Sequence, residues 1–248
     1  MPLAPRCRPA LPVLAALACA HVLAPRTAQA CGASSAGGVS SCSLDEHAWE
    51  VAPKWRAGVA GAFTSTSLRF GDVHVEQRRS VLVASLDRRL SPRTTLQLGL
   101  GTIAAGDLEV GGARFDLQPG LAVSAGLVHR FVDASGARPF VLGGAQLAVL
   151  ATSTHGPAGD TQAYEATDLR LTGAVGWTLA RHVSPYAVAR AFGGPIWWRI
   201  DGETKTGTDA YHVQLGAGLV VSGGGFDLGL EGVPLGERGA SATFGVAF

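Results

Sequence analysis

The chain has 248 residues, a formal net charge of +1 and only 16% charged residues, so it lacks the basic excess that binding to nucleic acid requires. Its mean hydropathy is positive, which is high for a water-soluble domain. Beyond residue 30 there is no run of about 18 apolar residues, which excludes a membrane-spanning helix and leaves short alternating strands to carry the apolar character.

The first 30 residues read as a secretory signal. Arg6 and Arg8 give a positive start, and Leu11 to Leu23 form an apolar stretch too short to span a bilayer. Ala28-Gln29-Ala30 is a small-x-small cleavage site. Pro25 and Arg26 cut the apolar run short, which argues against an N-terminal anchor. The predicted mature chain starts at Cys31. Residues 1–30 hold three basic residues and no acidic one, so the mature chain keeps 17 basic against 19 acidic residues. Lipoprotein signals usually place Leu and then a small residue at the positions held here by Ala28 and Gln29, so ordinary cleavage is favoured over acylation of Cys31.

Residues 31–53 form a Gly/Ser-rich leader, expected in the periplasm. It has no helical or strand period over most of its length, apart from one turn of helix that Ser43 could cap. Cys31 and Cys42 are the only cysteines after cleavage, and export points to a disulfide between them. The alternative adds His47 as a third ligand for a soft metal such as copper or zinc, but the three lack the paired CxxC spacing of strong sites.

From Trp55 on, period two dominates, which puts alternate side chains on opposite faces. About ten strands are predicted, near 54–65, 74–87, 94–105, 114–131, 138–152, 162–180, 184–199, 208–222, 225–233 and 240–248. The clearest sets Phe115, Leu117, Leu121, Val123, Leu127 and Phe131 against Asp116, Gln118, Ser124 and Arg130. Three strands, 74–87, 138–152 and 184–199, are too weakly patterned to assign an outer face. Short connections at 90–93, 133–136, 181–185 and 223–225 alternate with polar, Gly-rich ones at 66–74, 105–114, 153–162 and 199–209. Tight periplasmic turns and longer outer loops produce this asymmetry in membrane barrels, and an even strand count puts both chain ends on the periplasmic side.

Periodicity alone does not say which face meets water. The polar face is rich in Gly, Ala, Ser and Thr, and the chain has only two lysines, Lys54 and Lys205. This suits a crowded barrel interior better than a wet surface. Aromatic residues gather near strand ends, as interfacial girdles require: Trp55, Phe131, Trp177, Tyr186, Phe226 and Phe248 at the periplasmic side, and Phe63, Tyr164, Trp197, Trp198 and Tyr211 at the outer side. The last strand, with Phe244, Val246 and Phe248 on one face, resembles the terminal strand of bacterial outer-membrane β-barrel proteins. That resemblance implies recognition by the barrel-assembly machinery through Phe248, and contact with outer-membrane lipid.

The fold expected is therefore an all-β, antiparallel, up-and-down transmembrane barrel of about ten strands (eight to twelve) over 54–248. Its function is expected to be porin-like or structural, with no enzymatic activity and no cofactor. The candidate lumen network is Arg56, Gln97, Asp116, Arg130, Asp168, Arg170, His212, Asp227 and Glu231. It reads either as ion pairs filling the lumen or as a narrow polar channel for a small polar solute. Two other classes compete: a soluble secreted barrel holding a small apolar ligand, and an outer-rim hydrolase using Asp72, His74, Glu76, His155, Asp160, Asp201, Asp209 or His212. No GxSxG elbow accompanies those rim residues.

Overall fold

The computed structural model describes residues 54–248 apart from 181 and 201, and all extended regular structure in them is β. The strands are β1 (Trp55–Phe70), β2 (Val73–Arg89), β3 (Thr94–Val110), β4 (Ala113–Leu117), β5 (Leu121–Val132), β6 (Phe140–His155), β7 (Thr161–Gly176), β8 (Val183–Gly193), β9 (Ile196–Ile200), β10 (Glu203–Asp209), β11 (Val213–Gly223), β12 (Phe226–Leu235) and β13 (Arg238–Ala247). They form one antiparallel sheet that closes on itself, as a wall that crosses lipid must.

Closure happens twice, with different strand numbers. At the end carrying Trp55 and Phe248, the ring runs β1-β2-β3-β5-β6-β7-β8-β11-β12-β13 and back to β1, ten strands. The barrel's first and last residues meet there, with Trp55 and Phe248 exchanging backbone hydrogen bonds of 3.2 and 2.9 Å. At the far end β4 continues the line of β5, β9 that of β8, and β10 that of β11. The β12–β13 hairpin turns back early, at 236–237. Above its tip β10 pairs directly with β1 through Leu68↔Asp209 and Arg69↔Thr208, so the far ring has eight strands: β1-β2-β3-β4-β6-β7-β9-β10.

The ten predicted strands correspond to the ten positions of the larger ring, three of them interrupted. Most of the predicted long loops are not loops. Residues 66–70, 73–74, 105–110 and 203–209 continue the strands, and the β1–β2 and β3–β4 connections are two-residue turns at Gly71-Asp72 and Gly111-Gly112. Gly111 and Gly112 have φ of 56° and 82°, the left-handed pair that a tight hairpin of matching twist needs. Of the four predicted long loops, 153–162 keeps a short one, at 156–160 between β6 and β7.

The chain's apolar alternation points outward in the ten-strand section. Val59, Leu82, Leu100, Leu121, Leu171, Val213 and Leu230 are each more than half exposed, and they form a continuous belt. Arg56, Asp87, Arg190, Asp227 and Glu231 point inward and are buried.

Candidate functional site: the filled lumen

The lumen is built in three levels. Nearest the termini, Arg56 on β1 lies flat across the cavity. Its Nε and Nη2 donate to the two carboxylate oxygens of Asp227 at 2.7 and 2.6 Å, and Nη1 donates to Asp87 at 2.8 Å. Gly245 on the neighbouring β13 makes this possible, because a Cβ there would collide with the guanidinium. On the opposite wall Phe140, Leu142, Ala174, Tyr186, Val188 and Val220 pack together. Arg130 is buried at the same end, 3.4 Å from Asp133 in the β5–β6 turn.

The middle level is a belt of arginines and carboxylates. Arg190 grips Glu231 with two bonds of 2.7 and 2.8 Å, and the Tyr186 hydroxyl donates to the same carboxylate at 2.9 Å. Arg170 donates to Asp168 at 2.5 Å and to Glu237 at 2.6 Å, with Arg79 on the far side of Glu237 at 3.5 Å. Arg170 also lies over the Phe192 ring, 5.2 Å from its centroid. Three arginines thus face these three carboxylates, with a fourth carboxylate, Asp209 of β10, close enough to act on Asp168, Glu237, Arg79 and Arg170. In a dry interior each charge must be paired; removing one partner of such a pair costs about 3–5 kcal/mol. The cavity remaining in this belt, lined by Thr64, Arg170, Arg190, Glu231, Glu237 and Ser241, is about 30 Å³, space for roughly two water molecules.

The outer level is apolar and lies within the eight-strand ring. Leu68, Ile103, Leu108, Leu117, Tyr164, Ile196 and Trp198 fill it, with Phe70, Val75, Leu150 and Ala166. Trp198 meets Phe70 and Phe115 edge-on at 5.9 and 5.0 Å, and its indole N–H donates to Thr154 at 3.0 Å. The buried Tyr164 hydroxyl accepts from Gln77 at 2.8 Å. Both aromatics point into this plug, so they are not members of the outer girdle expected from the sequence; Trp197 alone of the Trp pair faces out.

The predicted lumen set divides. Arg56, Gln97, Arg130, Asp168, Arg170, Asp227 and Glu231 face the lumen. Asp116 does not. It sits on the outer face of the far extension, with Arg114 Nε 3.3 Å away and a side chain 61% exposed, because β4 carries the wall beyond the lipid belt, where water replaces lipid outside. His212 does not either. It falls in the break between β10 and β11, exposed, with Nδ1 3.3 Å from the Phe192 carbonyl oxygen. Asp87, Arg79, Arg190 and Glu237 are lumen groups that pattern reading missed. Asp87, Arg79 and Arg190 sit in the weakly patterned strands, and Glu237 in a turn. Cys31, Cys42, His47 and Asp201 lie outside the described residues, as do the predicted signal and leader. The remaining rim acids and histidines are not gathered into one site: Asp72, His74 and Glu76 are exposed on the β1–β2 hairpin, while Asp160 bonds Gln162 beside the β6–β7 loop.

Closure of the sheet, an outward belt of Leu, Val and Phe, and inward paired charges together define a transmembrane β-barrel of the bacterial outer-membrane type. No protein-family model matches the chain, and no curated protein matches it in sequence. Among solved structures it is similar to the translocator domain of the autotransporter NalP from Neisseria meningitidis, at 14% identity over 79% of this chain and 88% of that one, with a TM-score of 0.46. It is also similar to the transport unit of the autotransporter AIDA-I from Escherichia coli (13%; 83% and 92% covered; TM-score 0.41). A third is an outer membrane channel from Pseudomonas putida F1 (10%; 79% and 96%; TM-score 0.36).

Proposed function

We propose that this protein is a closed, non-enzymatic structural barrel of a bacterial outer membrane. It anchors in lipid through its ten-strand section and carries the eight-strand extension as a rigid cap above the outer leaflet. One observation supports this over a porin-like role: the far ring is filled by packed apolar side chains, with Trp198 1% exposed and Leu68, Ile103 and Leu108 fully buried. A polar solute would have to cross that plug and then displace the paired arginines beneath it, whereas conduction requires a water-lined path.

Purified protein reconstituted in planar bilayers is expected to show no stepwise conductance. Regular single-channel steps from the unaltered protein would replace this reading with the porin-like one. In the same reading, the outward Phe244, Val246 and Phe248 strand is the surface presented to the assembly machinery. Phe248→Ala is then expected to lower the amount of heat-modifiable protein in outer membranes.

A further inference from the structure

We infer that the outer wall carries a phosphate-binding site for an outer-leaflet lipid headgroup, formed by Arg78 and Arg238 on either side of Ser65. The inference rests on the membrane reading above. The strand register puts the three residues on one rung: Ser65 of β1 stands opposite Arg78 of β2 on one side and Arg238 of β13 on the other. All three share the outward parity of Phe63, which lies one rung nearer the lipid belt and is half exposed. With strands about 4.8 Å apart, the two arginine Cα atoms stand about 10 Å from each other, a span that two guanidinium groups close over one phosphate.

Both arginines are exposed, and among the described residues neither has an ion-pair or hydrogen-bond partner. That separates them from Arg56, Arg79, Arg170 and Arg190, each held by a carboxylate inside. Asp107, opposite Arg78 on its other side, is engaged by Arg114 at 3.3 Å, and Glu237, next to Arg238, is turned inward. Glu76 stands opposite Ser67, one rung further out, where it faces water above the headgroup layer. The outward residues on the rungs below are apolar or small: Phe63 with Ala240, then Gly61 with Leu82 and Ala242. A phosphate whose acyl chains run down this belt meets the arginines at the level where its charge sits. Free phosphate would gain nothing from the belt, which favours the lipid source.

The test uses the full-length protein folded in detergent. Native mass spectrometry counts retained lipid A carrying both phosphates, against lipid A stripped of phosphate, for the unaltered protein, Arg78→Gln/Arg238→Gln and the control Arg199→Gln. Heat-modifiable migration reports insertion and folding separately, so failure of the membrane reading shows there and not in lipid retention. The double variant is expected to fold and to lose retention of the phosphorylated lipid by roughly 30-fold. Arg199→Gln and the phosphate-free lipid are expected to separate site from background: the control retains lipid like the unaltered protein, and the stripped lipid binds poorly to all. Arg78→Lys/Arg238→Lys keeps the charges and serves if the Gln pair does not fold; an intermediate loss is expected. Equal retention by the unaltered protein and the folded double variant overturns the inference, as does equal binding of the stripped lipid. Displacement of the lipid by equimolar inorganic phosphate would reassign the site to the free ion.

Discussion

The two halves of this barrel share strands and sheet but are inside-out relative to each other. In the ten-strand section the wall shows Val59, Leu82 and Leu100 outward and Arg56, Asp87 and Asp227 inward. In the eight-strand extension the same strands bury Leu68, Val75 and Leu108 and expose Arg69, Glu76 and Glu109. The strands run on from one section into the other, through a bulge in β3 opposite Ser80 and Val81 and a change from ten strands to eight; what reverses the two faces is the medium outside. Lipid accepts apolar side chains and rejects charge, so the lower lumen collects the ion pairs. Water accepts charge, so the upper section has the apolar core of a soluble barrel. β2 makes the switch within one element, from His74, Glu76 and Arg78 outward to Leu82, Ala84 and Leu86 outward.

That contrast can be broken in each half. The largest effect is expected from Arg190→Ala, which strands Glu231 in the dry belt and costs about 3–5 kcal/mol. Urea titration of the barrel in lipid vesicles, read by tryptophan fluorescence, would show the midpoint fall; an unchanged midpoint means the belt is hydrated rather than dry. Trp198→Ala is expected to cost a comparable amount, about 3–5 kcal/mol, by leaving a void in the upper plug. A soluble-type core there also predicts greater protease susceptibility of the β9–β10 hairpin in intact cells, while membrane insertion stays normal.

The sharpest comparison is one kind of substitution made in both halves. Leu100→Arg puts a charge into the lipid belt and is expected to cost about 2–4 kcal/mol. Ala163→Arg puts the same charge on the outer wall of the extension, where it is expected to change stability by less than about 0.5 kcal/mol. Equal costs in paired unfolding titrations would mean that the two walls face the same medium.

Legibility followed the same division. Strands lying mostly within lipid, such as β5 and β11, alternate cleanly, and their outward faces are readable directly from Leu121, Val123, Leu127 and from Val213, Leu215, Leu219. The weakly patterned strand 74–87 is the one whose polar face changes sides: averaged over its length, neither parity is apolar. The polar segments read as outer loops follow from the same cause. Residues 66–74, 105–114 and 199–209 look like loops because they are water-facing strands, and in sequence a turn glycine marks a two-residue hairpin and a whole loop alike. Glu237 was hidden for another reason: its inward direction depends on the β12–β13 turn tucking under β11, where Gly236 presses against the backbone of Val213.

The amino-acid order by itself determined the class. Alternation with Leu and Val on one side, small residues on the other, few lysines and an even number of strands are local properties, and a two-residue period survives whatever the strands pair with. The tertiary structure alone decided where the wall leaves the lipid, that two strands stop short so the ring closes as eight above ten, and which charges meet. Those outcomes depend on register between strands as distant as Arg56 and Asp227, and register is a property of the closed ring rather than of any one segment.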